Sequence, residues 1–524
     1  MARASLRQQL ADYRRNNDPA TRYTDLAVRL VACDRNEADE LVEVGRSRVF
    51  GGLWDTWGGC YVTGDVQPLE IQVTRPQFET ICAICPRPGQ PRAQRVLVSG
   101  GRGGGKSQLG LLAVICWALE NPYGKAKLVA PTYDLGREAL WEKLFDETPF
   151  WRFLHPVLGE QKAKRRLVLL NFCRLQFAHA QNETSLRAGD AGLLLVDERQ
   201  DIDQRKVDVA TFQLRKRADY VLLQVGTAKA GTDFEEEKKR YEAAAELERE
   251  VGEPPRHVVK SFTSYTNCFI PHVLYEDARR SMDPKLYEQE VLGKWVVLGD
   301  TAYHEFERDT HVQPITKAVE VLERHYGHYK GIGQDITAQV LRQKLGHGAP
   351  NLVGMDFNVS PMVAVVWRIL RAPPGVAPIA WAVREIIVKD KADATRMGMK
   401  LKKAGFANSV IVVDCNAQHS VGGASSATFL RRLGFKVIAP ATNPNRVDRK
   451  NAANAKLRNA AGEITMFFDP ACKEQIRARQ LQEVDQDGKP TKDGVWDHHT
   501  DAGDYPIYRL WPVEGLTKRF GYAA

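Results

Sequence analysis

Short apolar runs bounded by glycine, proline and charge alternate with stretches of helical period along most of this chain. Residues 95–99 (Arg-Val-Leu-Val-Ser) read as a buried strand, followed by a glycine loop and an apolar helix from Ser107 to about Leu119. Further strands are expected at residues 126–131, 167–172, 193–196 and 220–225. Strands separated by helices predict a mostly parallel α/β sheet. Glu235 to Arg240 opens a charged helix that runs to about Val251, a solvated face with favourable i,i+4 pairing. A second α/β unit starts with a strand at 351–355 and continues through 363–369, 379–388, 409–413, 435–439 and 465–468. Ala372-Pro373-Pro374-Gly375 predicts a hairpin turn between two of these strands. Residues 1–60 hold no long periodic run and are expected to form helices and loops. The apolar pattern thins between His311 and Pro350, where a linker or insert is expected.

Composition narrows the class. With 43% hydrophobic and 27% charged residues over 524 positions, the chain has the balance of a soluble globular protein of about two to four domains. No run approaches the roughly 18 apolar residues of a spanning helix, and Met1 to Leu10 shows no apolar core of a secretion signal. Nine scattered cysteines argue for a reducing compartment, not a disulfide scaffold. Cys82-Ala83-Ile84-Cys85 lacks a second pair at zinc spacing and is discounted as a metal site. The net charge of +9 permits a polyanion partner without requiring one.

The strongest chemical signal is Gly100-Gly101-Arg102-Gly103-Gly104-Gly105-Lys106-Ser107, which meets G-x-x-x-x-G-K-[ST] between a strand and a helix. Such a loop curls backbone N–H groups around phosphates at a helix N-terminus. Lys106 is then placed on the β/γ-phosphates of ATP and the Ser107 hydroxyl on Mg2+. A second strand, 193–196, ends in Asp197-Glu198, which assigns Asp197 to the metal and Glu198 to the attacking water. Arg102, inside the loop, and Arg187, shortly before Asp197, are alternative arginine fingers. Gln77, in Arg75-Pro76-Gln77-Phe78, is a candidate adenine contact, with a plain strand-entry turn as the other reading.

The second unit places acids at element ends: Asp356 in Met355-Asp356-Phe357-Asn358, Asp414 after Val413, and a third group from Asp497 to Tyr505. Were Asp356 and Asp414 on adjacent strands, both carboxylates would leave the same sheet edge, and a third acid from a helix would complete a cage for two hard cations, Mg2+ or Mn2+. His498, Asp501 and Tyr505 share one helical face. Asp501 is chosen over Asp504, although Pro506 predicts a helix that begins near Ala502 or is kinked. Glu385 is a candidate fourth acid or an exposed strand end.

A phosphate-loop ATPase followed by a carboxylate-rich nuclease-like unit resembles the large terminase subunits of tailed bacteriophages and related gene-transfer particles. The resemblance runs from about Arg75 to Tyr508 and rests on Gly100 to Ser107, Arg187, Asp197-Glu198, Gly226-Thr227 as the coupling motif, and Tyr287-Glu288-Gln289-Glu290 with Gly293-Lys294-Trp295. In the second unit it rests on Asp356-Phe357-Asn358, Asp414 and His498-x-x-Asp501-Ala502-x-x-Tyr505. Arg199 after the acid pair departs from the small residue usual in the family, and Cys415-Asn416 follows the second Asp. The resemblance implies a P-loop ATPase domain (61–312, with a lid segment at about 255–312) and a ribonuclease-H-like nuclease domain (351–512). An N-terminal extension (1–60), a linker or insert (313–350) and a tail (513–524) complete the expected organisation. It further implies ATP-driven packaging of double-stranded DNA into a procapsid and cutting of concatemers. The implied partners are a small terminase subunit and the portal protein, with a homo-oligomeric ring forming on the portal. The implied location is the host cytoplasm, transiently on the procapsid, with no membrane and no place in the mature virion. A helicase or repair ATPase fused to a nuclease, and a DNA-binding scaffold with an inactive nuclease, are the competing readings.

Overall fold

The computed structural model describes residues 22–513, apart from 38, 147–148, 157, 162–164, 188, 217, 297–300, 358–359, 390–391, 419, 422–423, 486–487 and 493; Asn358 of the first acidic motif therefore lies outside the described residues. These residues divide into two units. Residues 22–275 and 288–296 form the first, and residues 276–287 and 301–513 the second.

The first unit opens with strands where helices and loops were expected. β1 (Tyr23–Arg35), β2 (Leu41–Asp55), β3 (Cys60–Val62) and β4 (Leu69–Thr74) form a sheet in the order β3-β2-β1-β4. The period-2 signal is blurred because β1 is buried on both faces: Leu26, Val28 and Leu30 are inaccessible, and so nearly are Ala27 and Ala32. A second sheet carries β5 (Arg95–Gly100), β6 (Lys125–Ala130), β7 (Glu160–Gln161), β8 (Arg166–Val168), β9 (Arg174–His179), β10 (Leu193–Val196), β11 (Val221–Gly226) and β12 (His257–Phe262). Its order is β12-β5-β11-β10-β6-β9-β8-β7. The six strands from β12 to β9 run parallel, and β8 and β7 close the edge antiparallel. The strand expected to reach residue 172 stops at Val168, because Phe172 turns at φ +64° and the Asn171 side chain accepts the Cys173 N–H. Because the strands are parallel, β5, β11 and β10 deliver Gly100, Gly226 and Asp197 to one sheet edge. The charged helix is present at Asp233–Glu250, with Lys238–Glu242 and Lys239–Glu235 pairs along it.

The second unit is built on β13 (Asn351–Asp356), β14 (Met362–Leu370), β15 (Ile379–Val388), β16 (Ser409–Val413), β19 (Lys436–Ile438) and β20 (Met466–Phe468). A separate small pair is formed by β17 (Ser420–Val421) and β18 (Ala424–Ser425). The sheet order is β19-β16-β13-β14-β15-β20. β13, β14 and β15 make an antiparallel meander; β16 is parallel to β13, and β19 to β16. An antiparallel meander extended beyond its first strand by two further strands parallel to that strand is the ribonuclease-H-like arrangement. The expected linker instead carries the helices Ala318–Tyr326 and Thr337–Leu345, which bury Val321, Leu322, Val340 and Leu341. Nine-residue helices with so few inward positions leave only a thin apolar signal.

Candidate functional site

The phosphate loop is shaped by its glycines and braced from outside. Gly103 and Gly105 adopt φ of +77° and +78°, a region open to glycine at little cost. A Cβ on Gly101 would lie 2.3 Å from Ser264 Oγ and 2.4 Å from the Val291 carbonyl. Ser264 Oγ donates to the Arg102 carbonyl at 2.6 Å, and Asn267 Nδ2 to the Gly103 carbonyl at 2.7 Å. Gln77 Oε1 accepts the Thr74 N–H at 2.9 Å in a capping box, and Gln77 Nε2 donates to the Gly105 carbonyl at 2.9 Å. The role the structure gives Gln77 is thus to tie helix Arg75–Ile84 to the loop. Ser264 and Asn267, which sequence reasoning missed, carry no motif of their own.

Lys106 is buried, and its Nζ donates to the carbonyls of Gly100 at 3.0 Å and Gly101 at 2.8 Å. Burial lowers its pKa, while Glu198, Glu290 and Asp197 favour its charged form. Ser107 Oγ donates to Asp197 Oδ1 at 3.1 Å, and Asp197 Oδ2, also buried, has no hydrogen-bond partner among the described residues. Burial and the neighbouring Glu198 carboxylate raise the Asp197 pKa. Glu198 stands in the left-handed region at φ +47°, uncommon for a side-chain-bearing residue. Its Oε2 accepts from Gln200 Nε2 at 2.7 Å, and Gln200 Oε1 accepts the Thr227 N–H at 2.9 Å. A Cβ on Gly226 would sit 2.4 Å from that Gln200 oxygen, so Gly226 makes room for the link. Gln200 therefore joins the acid pair to Gly226-Thr227. Arg199 is fully buried: its Nε donates to Gln224 Oε1 at 2.8 Å and its Nη1 to the Ile202 carbonyl at 2.6 Å. The large residue after the acid pair is thus a structural tie between β10 and β11.

The two candidate arginines have different surroundings. Arg102 forms an ion pair with Glu290 at 2.9 Å, and Gly293 packs so close that a Cβ there would lie 2.9 Å from the Gly101 nitrogen. Residues 288–295 therefore close onto the loop. Arg187 ends the short helix Glu183–Arg187; its side chain is 68% exposed and pairs with Glu183 at 3.1 Å. Beneath it, buried Lys127 donates to the Ser185 carbonyl at 2.6 Å and the Leu186 carbonyl at 3.0 Å, fixing the segment that presents Arg187. Burial lowers the Lys127 pKa to about 8.

In the second unit, Met355 lies opposite Val413 in parallel register, so Asp356 and Asp414 emerge from adjacent strands at one edge. Both are buried. The third station is the helix Asp497–Leu510, which runs unbroken through Pro506 and starts before Ala502, not at it. Proline removes the N–H that the Ala502 carbonyl would accept, and that carbonyl lies against Gly354, where a Cβ would be only 1.9 Å away. Pro506 and Gly354 together let the helix approach β13 closely. His498 Nδ1 and Asp356 Oδ2 are 2.9 Å apart, and Arg449 Nη1 donates to Asp501 Oδ1 at 2.7 Å while its guanidinium lies 4.4 Å from the centre of the Tyr505 ring. Burial raises the Asp356 pKa; His498 opposes this, and Asp501 and Asp414 add to it. The three chosen acids thus share one electrostatic environment. Arg449, in helix Arg446–Leu457, was not found from sequence, where it is one basic residue in a charged helix.

Two other acids do different work. Asp504 is buried and accepts from Tyr303 Oη and Arg479 Nη2, each at 2.6 Å, so it is a packing ion pair and not part of the edge. Glu385 accepts the N–H groups of Glu474 and Gln475, each at 2.9 Å, capping the helix Lys473–Leu481. It is neither a fourth acid nor a free strand end.

No protein-family model matches this chain, and no curated protein matches it. Among solved structures, it is similar to the large terminase of a thermophilic bacteriophage, at 15% identity and TM-score 0.49, over 83% of this chain and 98% of that one. The bacteriophage HK97 large terminase matches at 12% identity and TM-score 0.35, over 84% of this chain and 95% of that one. The nuclease domain of the P22 large terminase matches at 13% identity and TM-score 0.28, over 42% of this chain and 97% of that one.

Proposed function

We propose that this chain is a large terminase subunit, an ATP-driven motor that threads double-stranded DNA into a procapsid and a metal-dependent endonuclease that cuts the concatemer. The observation that carries the reading is one chain holding two acidic sites of different design. One sits at a phosphate loop and is wired through Gln200 to Thr227; the other sets two acids at a ribonuclease-H-like sheet edge and a third on the helix packed against it.

The loop N–H groups and Lys106 take the β/γ-phosphates of ATP. Ser107 and Asp197 suit Mg2+: a hydroxyl and a buried carboxylate oxygen without a hydrogen-bond partner among the described residues are hard donors. Bound there, Mg2+ supplies neutralisation of the charge that develops on the phosphates. Glu198 orients the attacking water, and a change at its carboxylate reaches Thr227 through the Gln200 amide. Arg187 acts in trans on a neighbouring copy, in a ring that assembles on the portal. At the second site Asp356, Asp414 and Asp501 hold two divalent cations, Mg2+ or Mn2+, whose chemistry is polarisation of the phosphodiester and activation of water. His498 holds its proton on Nδ1 against Asp356. Arg449 restrains Asp501.

The small terminase subunit and the portal protein are the proposed partners, and the proposed place of action is the host cytoplasm, transiently at the procapsid. No described helix is long and apolar enough to cross a membrane. DNA contacts are expected to be sequence-independent and salt-sensitive. The test is a supercoiled-plasmid assay with Mg2+ or Mn2+, with and without ATP, run beside an ATPase assay. Cutting that requires the metal, together with hydrolysis that requires Lys106, is the expected result. Hydrolysis without cutting in either metal would favour a scaffold with an inactive nuclease.

A further inference from the structure

Outside both acidic sites, the second unit brings together Asp283, His304 and Glu305, each offering a ligand atom within 4.8 Å of the others. All three are withdrawn from water: Asp283 is 1% exposed, and the His304 and Glu305 side chains are 6% and 13% exposed. His304 Nε2 lies 3.2 Å from Asp283 Oδ1 and 3.8 Å from Glu305 Oε1. Ligands about 2.1 Å from a tetrahedral zinc ion stand about 3.4 Å from one another, so these separations bracket the spacing zinc imposes.

A hydrogen-bonded cap explains only part of the cluster. Asp283 Oδ1 accepts the Leu286 N–H at 3.0 Å as well as facing His304. Asp283 Oδ2 is buried and has no hydrogen-bond partner among the described residues. A buried carboxylate oxygen left unpaired is costly unless a cation or water satisfies it. Glu305 has only a long ion pair with an arginine among the described residues: its other oxygen is 3.9 Å from Arg458 Nε, and Arg458 places its Nη2 on Glu307 at 2.8 Å.

We propose that Asp283, His304 and Glu305 bind a zinc ion, with water as the fourth ligand, using none of the residues of the Asp356 site. One imidazole and two carboxylates form a donor set for zinc, and two carboxylates offset its charge. The ion would fasten residues 276–287 to the rest of the unit. The same segment is tied by the Arg280 carbonyl accepting from Asn459 Nδ2 and the Met282 carbonyl accepting the Ala460 N–H, each at 2.8 Å, and by Arg279 Nε donating to the Ala460 carbonyl at 3.3 Å. The proposal does not depend on the motor or nuclease reading.

The experiment uses the untagged full-length chain carrying Asp356→Asn and Asp414→Asn, which removes cation binding at the other acidic edge. After chelator treatment, Zn2+ is titrated against a chromophoric chelator in excess Mg2+, with the melting temperature followed in parallel. One Zn2+ per chain is expected, with a rise in melting temperature. His304→Gln and Asp283→Asn should each weaken zinc affinity tenfold or more and abolish that rise; the Asn variant keeps a helix-capping side chain, so it separates ligand loss from misfolding. No zinc uptake by the parent, uptake of Mn2+ in its place, or equal zinc affinity in the parent and both variants would overturn the proposal.

Discussion

In the phosphate-loop unit the buried carboxylate of Asp197 meets a hydroxyl, Ser107 Oγ, and keeps one oxygen without a partner among the described residues. In the second unit Asp356 meets the His498 imidazole at 2.9 Å, and Asp501 meets the Arg449 guanidinium at 2.7 Å. The first site keeps one carboxylate oxygen open to an incoming cation, with the buried Lys106 as a neighbouring charge. In the second, Asp501 is already ion-paired, so a cation reaching it has to share it with Arg449. The difference teaches that the same residue type at a strand end is prepared for different events by what the neighbouring elements bring to it.

The largest expected effect tests whether the first site is complete within one copy. Mixing Arg187→Ala with Lys106→Ala chains should restore hydrolysis at interfaces where an intact Arg187 faces an intact loop. Loss of such a finger typically lowers turnover by about 10³–10⁵-fold. No recovery in mixtures shown to co-assemble would shift the assignment to Arg102. Glu198→Gln should still bind ATP but hydrolyse it more slowly, by about 10²–10⁴-fold, as for loss of a catalytic base. Near-normal turnover would remove Glu198 from its role.

In the second site the comparison sharpens between two acids one helical turn apart. Asp501→Ala, like Asp356→Ala and Asp414→Ala, should abolish plasmid cutting and leave ATPase turnover unchanged. Asp504→Ala should act on stability, because it strands Arg479; breaking a buried pair costs about 3–5 kcal/mol. A denaturant melt of Asp504→Ala indistinguishable from the parent would show that Asp504 is not the packing acid. Gly354→Ala should push the Asp497–Leu510 helix off β13, and overpacking of this kind costs roughly 1–3 kcal/mol. It should lower the melting temperature and cutting together, and cutting at the parent rate would uncouple helix approach from acid placement.

The smallest expected effect is in pH. Burial lowers the His155 pKa to about 4 in the first unit, where Nδ1 accepts the Leu158 N–H at 3.1 Å. The unfolded chain, near 6.5, takes up that proton first, so this contribution is present above about 6.5 and is lost as pH falls toward 4. His498 is shifted the other way, raised first by its hydrogen bond to Asp356. Its contribution is present below its unfolded pKa and is lost as pH rises through the folded value. Hydrogen exchange followed from about pH 7 to about pH 5 should therefore show protection weakening around residue 155 and strengthening around residue 498. A common direction at both sites would contradict the opposed surroundings.

Much of the first site was legible because its chemistry is contiguous. Eight consecutive residues form the loop, and a four-residue apolar strand delivers Asp197-Glu198; local backbone geometry does the rest. Gln200 lay two residues beyond and went unread, because a glutamine in a loop carries no periodic or motif signal until β11 places Thr227 beside it. The hairpin and its proline turn were also readable, since its two strands are apolar runs broken only by Arg368 in one and Arg384-Glu385 in the other. The long β1–β2 hairpin was not, because burial on both faces and paired charges, such as Arg29 with Glu70 at 3.6 Å, erase the alternation that marks a strand.

Residue order alone determined which acids end strands, which glycines form the loop and where the apolar strands fall, because these follow from short-range sterics and burial patterns. Tertiary structure alone decided which acids act together. Asp501 and Asp504 sit three residues apart on one helix, and both were chemically eligible. The close approach at Gly354, with Pro506 freeing the Ala502 carbonyl, sets the helix against β13, with Asp501 in the electrostatic environment of Asp356. Arg479 and Tyr303 claim Asp504 for the core. A one-dimensional pattern cannot encode that choice, because it depends on partners contributed by elements distant in sequence, and a buried carboxylate takes its role from whichever partner reaches it.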